Sequence, residues 1–451
     1  MFCNTPLVFL GTSNSVYPNR IIGRSVLLEV TTSPSRLRTV RAALSGSAAN
    51  GFLRYIGPAL IVSTAYIDPG NFGTDIAGGA QYAYQLLWVV WLANIMAMVL
   101  QYLSGKLGLA TSLSLAEIIR GKLRTRWKIV PYWLACEIFA VFTDLAEFLG
   151  VTIGLYLLFG IPLIIAALIS AFDIIIIFLL TGSHFRRMEL IIANFVTLIG
   201  LGYLYEVFIT KPAALPIAVG SILPLIPDAN AAVICVGVIG ATVMPHALVL
   251  HSYLAKNKLQ EGDLNERKRL LGYHRNETLS MLTMAGCVNA AILIMASAAF
   301  NTRGILIATI QQAYWTLLPL FGFLAGAVFA ITLLCSGWSS SCCGVLAGQA
   351  ILEGMLGSHI NPWVRRIIIR VINVAPTSVM ILLGFNPLVL LVYSQVVLSF
   401  LIPLPLIPLI IFTMDRKLMG PFVNRKLLTA VAVFFCGLII AFNIYILVLT
   451  L

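Results

Sequence analysis

Eleven apolar stretches recur along the chain, each near the ~20 residues that a helix needs to cross hydrocarbon. They fall at roughly 54–80, 84–106, 130–157, 160–181, 187–209, 231–255, 279–300, 317–347, 367–385, 386–412 and 428–449. The connections are short apart from 107–129, 208–230 and 256–278, so no soluble domain fits between spans and function must reside in the bundle. The 256–278 loop, KNKLQEGDLNERKRLLGYHRNET, is charged and is predicted to be partly helical, lying on the inner surface. Before residue 50 the chain is polar and rich in Ser and Arg. Its apolar patch, Leu7 to Leu10, is shorter than the about 7–15 residues of a signal-peptide core. The expectation is a disordered cytoplasmic tail over 1–50 and a single transmembrane domain over 51–451.

Two of these stretches are interrupted near their centres. Ile56 to Tyr82 carries Asp68-Pro69-Gly70-Asn71, and Val236 to Tyr253 carries Gly237, Gly240 and Pro245. Proline removes a helix hydrogen bond and clashes with the preceding turn, while glycine loosens what remains. A break in hydrocarbon is tolerated only where the freed backbone groups line a cavity or are buried in protein. Asp68 and Met244 are 176 residues apart, about five spans. Matched breaks at that separation predict a five-plus-five inverted repeat with the substrate between the halves. The first repeat covers about 54–209 and the second about 231–412, with 428–449 as an additional eleventh span. The predicted fold is therefore an all-α integral membrane protein with helices 1 and 6 broken at the midplane.

Composition agrees: 60% of residues are apolar and 10% charged, with mean hydropathy +0.97, against about 25% charged in soluble domains. The net charge of +12 would suit nucleic acid, but its placement argues otherwise. With the N-terminus in the cytoplasm, 27 of the 29 Lys and Arg fall on the inner side, leaving Lys211 and Arg303 outside. That bias is a topology signal, and with eleven spans it predicts the C-terminus outside; a plasma membrane is the default expectation for this multi-pass protein. The eight cysteines are scattered without zinc-type spacing and read as small apolar filler.

Asp68 and Asn71, three residues apart, can aim a charged and a neutral oxygen at one point. Intramembrane carboxylates are costly and usually functional; the plainer alternative is a hinge in which Asp68 caps the following half-helix. Met244 precedes Pro245, whose missing N–H leaves the Ala241 carbonyl available. A thioether suits transition metals better than magnesium or calcium, although methionine in a membrane helix is often packing filler. His246 and His251 titrate near physiological pH and are candidates for proton handling, with a buried hydrogen-bonded histidine as the alternative. Glu137, Asp144 and Glu147 share one stripe of the third span. They are expected to face the interior as a proton route or a structural ion-pair network, with Arg365 and Arg366 as counter-charges. Gln395 offers an amide oxygen, Asn289 is a weaker candidate, and Asp173 lacks an evident partner. Ser339, Ser340 and Ser341 permit close helix packing or satisfy backbone groups.

These residues resemble the Nramp (natural resistance-associated macrophage protein) family of proton-coupled manganese and iron transporters. The likeness rests on Asp68-Pro69-Gly70-Asn71-Phe72, Thr143-Asp144-Leu145-Ala146-Glu147-Phe148 and Gly240-Ala241-Thr242-Val243-Met244-Pro245-His246, with Ser394-Gln395-Val396 and the Arg365-Arg366 pair. It covers roughly residues 50–450. The resemblance implies a LeuT-type fold alternating between outward-open and inward-open states. It implies Asp68, Asn71 and Met244 as side-chain ligands, carbonyls from Ala65 and Ala241, and Gln395 in some states. It also places Asp68, His246, Asp144 and Glu147 on the proton route. Relatives that lack the methionine include magnesium or aluminium carriers, so Met244 favours manganese and iron.

The expected activity is proton-coupled uptake of divalent transition metals (Mn²⁺, Fe²⁺, Cd²⁺, Co²⁺) across the plasma membrane. The expected partners are those ions, protons and the lipid bilayer, with no cofactor, no nucleic acid and no obligate protein partner. Two alternatives fit less well. An amino-acid symporter would want free half-helix amides rather than Asp68 at its centre. An intramembrane metallohydrolase would need several ligands gathered from adjoining helices, and the chain carries no HExxH.

Overall fold

The computed structural model describes residues 52, 55–172, 185–258, 264–305, 307–357 and 361–450, all helices and connections. The expected tail at 1–50 and Asp173 lie outside the described residues. The first span is two half-helices, α1 (Pro58–Ala65) and α2 (Pro69–Tyr82). Then come α3 (Leu87–Thr111), the short α4 (Leu115–Leu123), α5 (Arg126–Phe159), α6 (Leu163–Ser170) and α7 (Phe185–Thr210). After α8 (Ala214–Ile222), the sixth span is again split, into α9 (Ala229–Thr242) and α10 (Pro245–Asn257). The rest is α11 (Leu264–Ala299), α12 (Ile310–Phe321), α13 (Phe323–Leu356), α14 (Pro362–Leu382), α15 (Pro387–Leu401), α16 (Pro403–Met414), the single turn α17 (Arg416–Met419) and α18 (Lys426–Thr450).

Among the described residues, eight helical segments are long and apolar enough to cross a membrane. They account for nine of the eleven expected spans, because the first two run together over 69–111. The ninth span is the shorter Ile367–Leu382, and the fourth is described only in part. The protein is an integral, multi-pass membrane protein.

Three expectations need correction. The connection at 256–278 is helical in part, as expected, but that helix is not separate from the seventh span: α11 starts at Leu264 and continues without interruption for 36 residues. Its residues are good helix formers and the apolar periodicity simply begins later, so charge marked the solvent boundary rather than the helix end. The eighth span begins at Phe323 rather than 317, because Gly322 at φ 89° separates it from α12. The tenth span is interrupted between Leu401 and Pro403, where proline opens a new helix.

The paired breaks set the centre of the bundle. Pro69 and Pro245 each take the first position of the half-helix that follows, where proline has no useful N–H to lose and its fixed φ suits the turn. Buried backbone groups freed by a break must find partners, and neighbouring helices supply them. Asn289 Nδ2 donates to the Tyr66 carbonyl at 2.9 Å, and Ser336 Oγ donates to the Ile67 carbonyl at 2.6 Å. At the other end of α1, Glu277 Oε1 accepts from the amides of Gly57, Ala59 and Leu60 at 2.7, 3.1 and 3.3 Å. A carboxylate from α11 thus does the work of an N-cap for α1, favoured by the positive end of the helix dipole. Around this centre α13 lies along α5, α11 along α2 and α3, and α9 against α15.

Candidate metal site at the paired helix breaks

Asp68 caps α2. Its Oδ2 accepts from the Gly70 amide at 3.0 Å, and its Oδ1 accepts from the Asn71 amide and from Asn71 Nδ2, both at 2.9 Å. The capping role is therefore real, and it does not exclude a ligand role. An ionised carboxylate has about four acceptor sites, and the cap fixes its orientation.

Asn71 joins the two breaks. Its Nδ2 also donates to the Ala241 carbonyl at 2.9 Å, while its Oδ1 accepts from the Thr242 hydroxyl at 2.9 Å. A cation drawing on the Asn71 oxygen therefore competes with Thr242. Gln395 of α15 lies against the start of α2: a Cβ at Gly70 would stand 2.2 Å from Gln395 Nε2 and 2.7 Å from Asp68 Oδ2. Its Nε2 donates to Ser394 Oγ at 3.0 Å, and its buried Oε1 has no hydrogen-bond partner among the described residues. Met244 occupies the cap position of α10, fully buried, and Ala65 ends α1 three residues before Asp68. Asp68, Asn71, the Ala241 carbonyl and Gln395 are thus brought together. Oxygen lone pairs in this place, with a thioether on the partner break, are donors that suit a divalent ion of intermediate softness.

Beyond the breaks runs a polar ladder on α5. Thr143 Oγ1 meets His246 Nδ1 at 3.1 Å, and a small cavity of about 10 Å³ is lined by Thr143, Asp144, Glu147, His246 and Arg365. That is near the least volume that holds one water. Ser341 donates to Glu147 Oε2 at 3.1 Å, and Asn373 Nδ2 donates to Asp144 Oδ2 at 2.8 Å. The expected pairing with α14 is found for Glu137, which Arg365 binds through two guanidinium nitrogens. For Asp144 the partner is instead Arg370, at 3.6 Å. The side chain of Arg366 lies outside the described residues. Further along, a cleft of about 420 Å³ lies between α1, α10 and α13, lined by Pro58, Tyr253, Asn257, Lys258 and Gln349, at the end that carries the basic connections.

The weaker candidates separate. Asn289 serves a backbone carbonyl of the first break, as described above. His251 Nδ1 donates to Gln101 Oε1 at 3.0 Å, and Gln101 Nε2 in turn donates to the Tyr66 hydroxyl at 2.7 Å. Its ring stands edge-on to His274, centroids 4.9 Å apart. Ser341 holds a carboxylate rather than easing helix packing, whereas Ser339 and Ser340 bond to their own helix backbone. Sequence reasoning passed over Arg370 and Asn373 as partners of Asp144, Glu277 as a cap, and the buried acids Asp75 and Glu206. The signal for those acids was present, since any carboxylate inside a span is suspect. Among the described residues, no three His, Cys, Asp or Glu side chains gather as a metal-holding group, and a metallohydrolase centre would need such a group.

Two half-helix pairs meeting over a buried carboxylate, in a bundle of membrane-spanning helices, define a membrane protein of the inverted-repeat transporter fold. MhsT, solved in complex with L-phenylalanine, shares that fold alone: TM-score 0.56 and 14% identity over 86% of this chain and 98% of that one. Residues 59–449 match the family described as natural resistance-associated macrophage protein-like, and the chain belongs to that Nramp family. It is 45% identical, over 88% of each chain, to the divalent metal cation transporter MntH of Granulibacter bethesdensis. Its backbone superposes on the Eremococcus coleocola manganese transporter with TM-score 0.79 and 28% identity, covering 92% of this chain and 88% of that one.

Proposed function

We propose that this protein carries divalent transition-metal ions, Mn²⁺ foremost and Fe²⁺, Co²⁺ and Cd²⁺ with it, across the plasma membrane in symport with protons. The observation that carries the reading is the Asn71 amide held between Asp68 and the Ala241 carbonyl, since it puts polar atoms of both breaks at one point. The names of the relatives, a divalent metal cation transporter and a manganese transporter, support a divalent-metal cargo with Mn²⁺ among its ions. Asp68, Asn71, Met244 and the Ala241 carbonyl hold the ion, with Gln395 and the Ala65 carbonyl joining as the halves rock. The basic connections beside it support reading the 420 Å³ cleft between α1 and α10 as the cytoplasmic exit.

A metal ion beside Asp68 favours the ionised carboxylate and releases its proton. His246 and the cavity at Thr143 lie next on the way to Asp144 and Glu147, and the ion pairs with Arg370 and Arg365 lie beyond. These paired acids accept and pass on charge without leaving it unsolvated. Reconstituted vesicles loaded with a metal-quenched dye test the reading. Mn²⁺, Fe²⁺, Co²⁺ and Cd²⁺ are expected to enter and Mg²⁺ and Ca²⁺ to be refused; equal rates for all six, or no flux of any, would sink it.

A further inference from the structure

The second acid of the first span plays no part in the site above. Asp75 lies seven residues beyond Asp68 on α2, two turns or about 10 Å further from the basic end. It is fully buried, and both its carboxylate oxygens lack a hydrogen-bond partner among the described residues. Glu206 on α7 has the same two properties. The Tyr203 hydroxyl, buried as well, lies within electrostatic reach of both acids, and Asp75 lies within reach of Asp68. Thr332 lies near the Tyr203 oxygen, but no hydrogen bond of acceptable geometry joins them. The Tyr203 ring is packed edge-on against Phe72 at 5.4 Å, one turn below Asp75, and Glu206 stands one turn above Tyr203.

Two ionised carboxylates here would each carry a desolvation penalty of several kcal/mol. No cation among the described residues offsets it. α2, α9, α13 and α15 contain no Lys or Arg, and the basic residues of α7 and α11 sit at the opposite end. The other ionisable side chains of these elements are the thiols of Cys235, Cys287, Cys335, Cys342 and Cys343, the phenols of Tyr82, Tyr205, Tyr273 and Tyr393, His274, the acids Glu189, Glu266, Glu277 and Glu353, and the acids of α5, none of which is a lysine or arginine. Arg303, near the far end of α2, is stacked over Phe321 at 4.8 Å. A proton on each acid would remove that penalty.

We infer that Glu206, Tyr203 and Asp75 form a proton-loading site on the outer side of Asp68, through which protons from outside reach the metal site. This rests on the proposed orientation and coupling. A proton passes from Glu206 to the Tyr203 oxygen as the phenol gives its own to ionised Asp75; Asp75 then reprotonates Asp68 once the metal has left. Each group gains one proton and loses one, and no electron moves. The groups are not hydrogen-bonded to each other here, so a bridging water or a rotation of the phenol completes each hop.

The test uses the full chain in proteoliposomes with a metal-sensitive dye and a pH dye, comparing parent, Asp75→Asn, Glu206→Gln and Tyr203→Phe. Tyr203→Phe keeps the ring packing and removes only the hydroxyl. Each variant should lower the ratio of protons to Mn²⁺ by about tenfold or more, slowing metal flux less than proton flux. Infrared spectra of the parent in hydrated membranes at neutral pH should show protonated carboxyl bands, one lost in Asp75→Asn and one in Glu206→Gln. Variants with the parent's ratio, or a parent without those bands, overturn the inference. A parent that moves Mn²⁺ with no protons sinks the coupling itself and this relay with it.

Discussion

The side-chain amide of Asn71 donates to the main-chain carbonyl of Ala241 at 2.9 Å, across 170 residues of sequence. The same nitrogen serves Asp68, and the amide oxygen takes the Thr242 hydroxyl. One side chain therefore bridges the two breaks and, in the proposed site, also supplies an oxygen. Asn71→Ala is expected to weaken Mn²⁺ binding by about tenfold or more, with helix content retained. Equilibrium binding by calorimetry alongside far-ultraviolet circular dichroism checks this.

In the proposed site Met244 is the soft donor of the pair. Met244→Ala should preserve Mn²⁺ transport better than Cd²⁺ binding and relax the refusal of Ca²⁺ and Mg²⁺, because oxygen ligands alone do not discriminate against hard ions. Competition of each metal against labelled Mn²⁺ reads the change. Unaltered selectivity would remove Met244 from the filter.

Asp144 is held by Asn373 at 2.8 Å and Arg370 at 3.6 Å. Asp144→Asn removes the charge while retaining the shape, so on the proposed coupling the proton influx accompanying Mn²⁺ should fall further than Mn²⁺ uptake itself. Arg370→Ala should instead destabilise the fold by about 3–5 kcal/mol, the cost of breaking a buried pair from one side. Thermal unfolding in detergent distinguishes the two.

Much of this was legible in the chain, for identifiable reasons. Proline and glycine act locally, so the breaks at Pro69 and Pro245 could be read directly. Their matched separation carried the repeat. The partner of Asp144 could not be read, because Arg365 and Arg370 are both plausible until the rotation of α14 against α5 is fixed by packing. The trans-capping of α1 by Glu277, 220 residues from Gly57, is a tertiary event with no local signature. The break before Pro403 was visible in principle, but the apolar run around it concealed the interruption.

Away from the membrane core, Glu117 on α4 accepts from the Lys256 ammonium at 2.6 Å and from the Ser114 amide at 2.6 Å. Burial pushes its carboxyl up, but the Lys256 and Ser114 contacts outweigh it and hold the group below the ordinary glutamate value. A depressed folded-state value contributes stability above the unfolded value, and that stability is lost as pH falls through the folded one. The parent should therefore lose melting temperature on acidification below the usual glutamate range. Glu117→Gln should show a flatter profile there and cost no more than about 1 kcal/mol near neutrality, the pair being partly solvated.

The central claim is that a divalent ion sits beside Asp68 between the two breaks and displaces its proton. Labelled Mn²⁺ uptake into proteoliposomes holding an internal pH dye, run side by side for the parent and Asp68→Ala, tests it most directly. The parent should accumulate Mn²⁺ while its lumen acidifies, and Asp68→Ala should do neither. Parent-like Mn²⁺ uptake by Asp68→Ala would contradict the account.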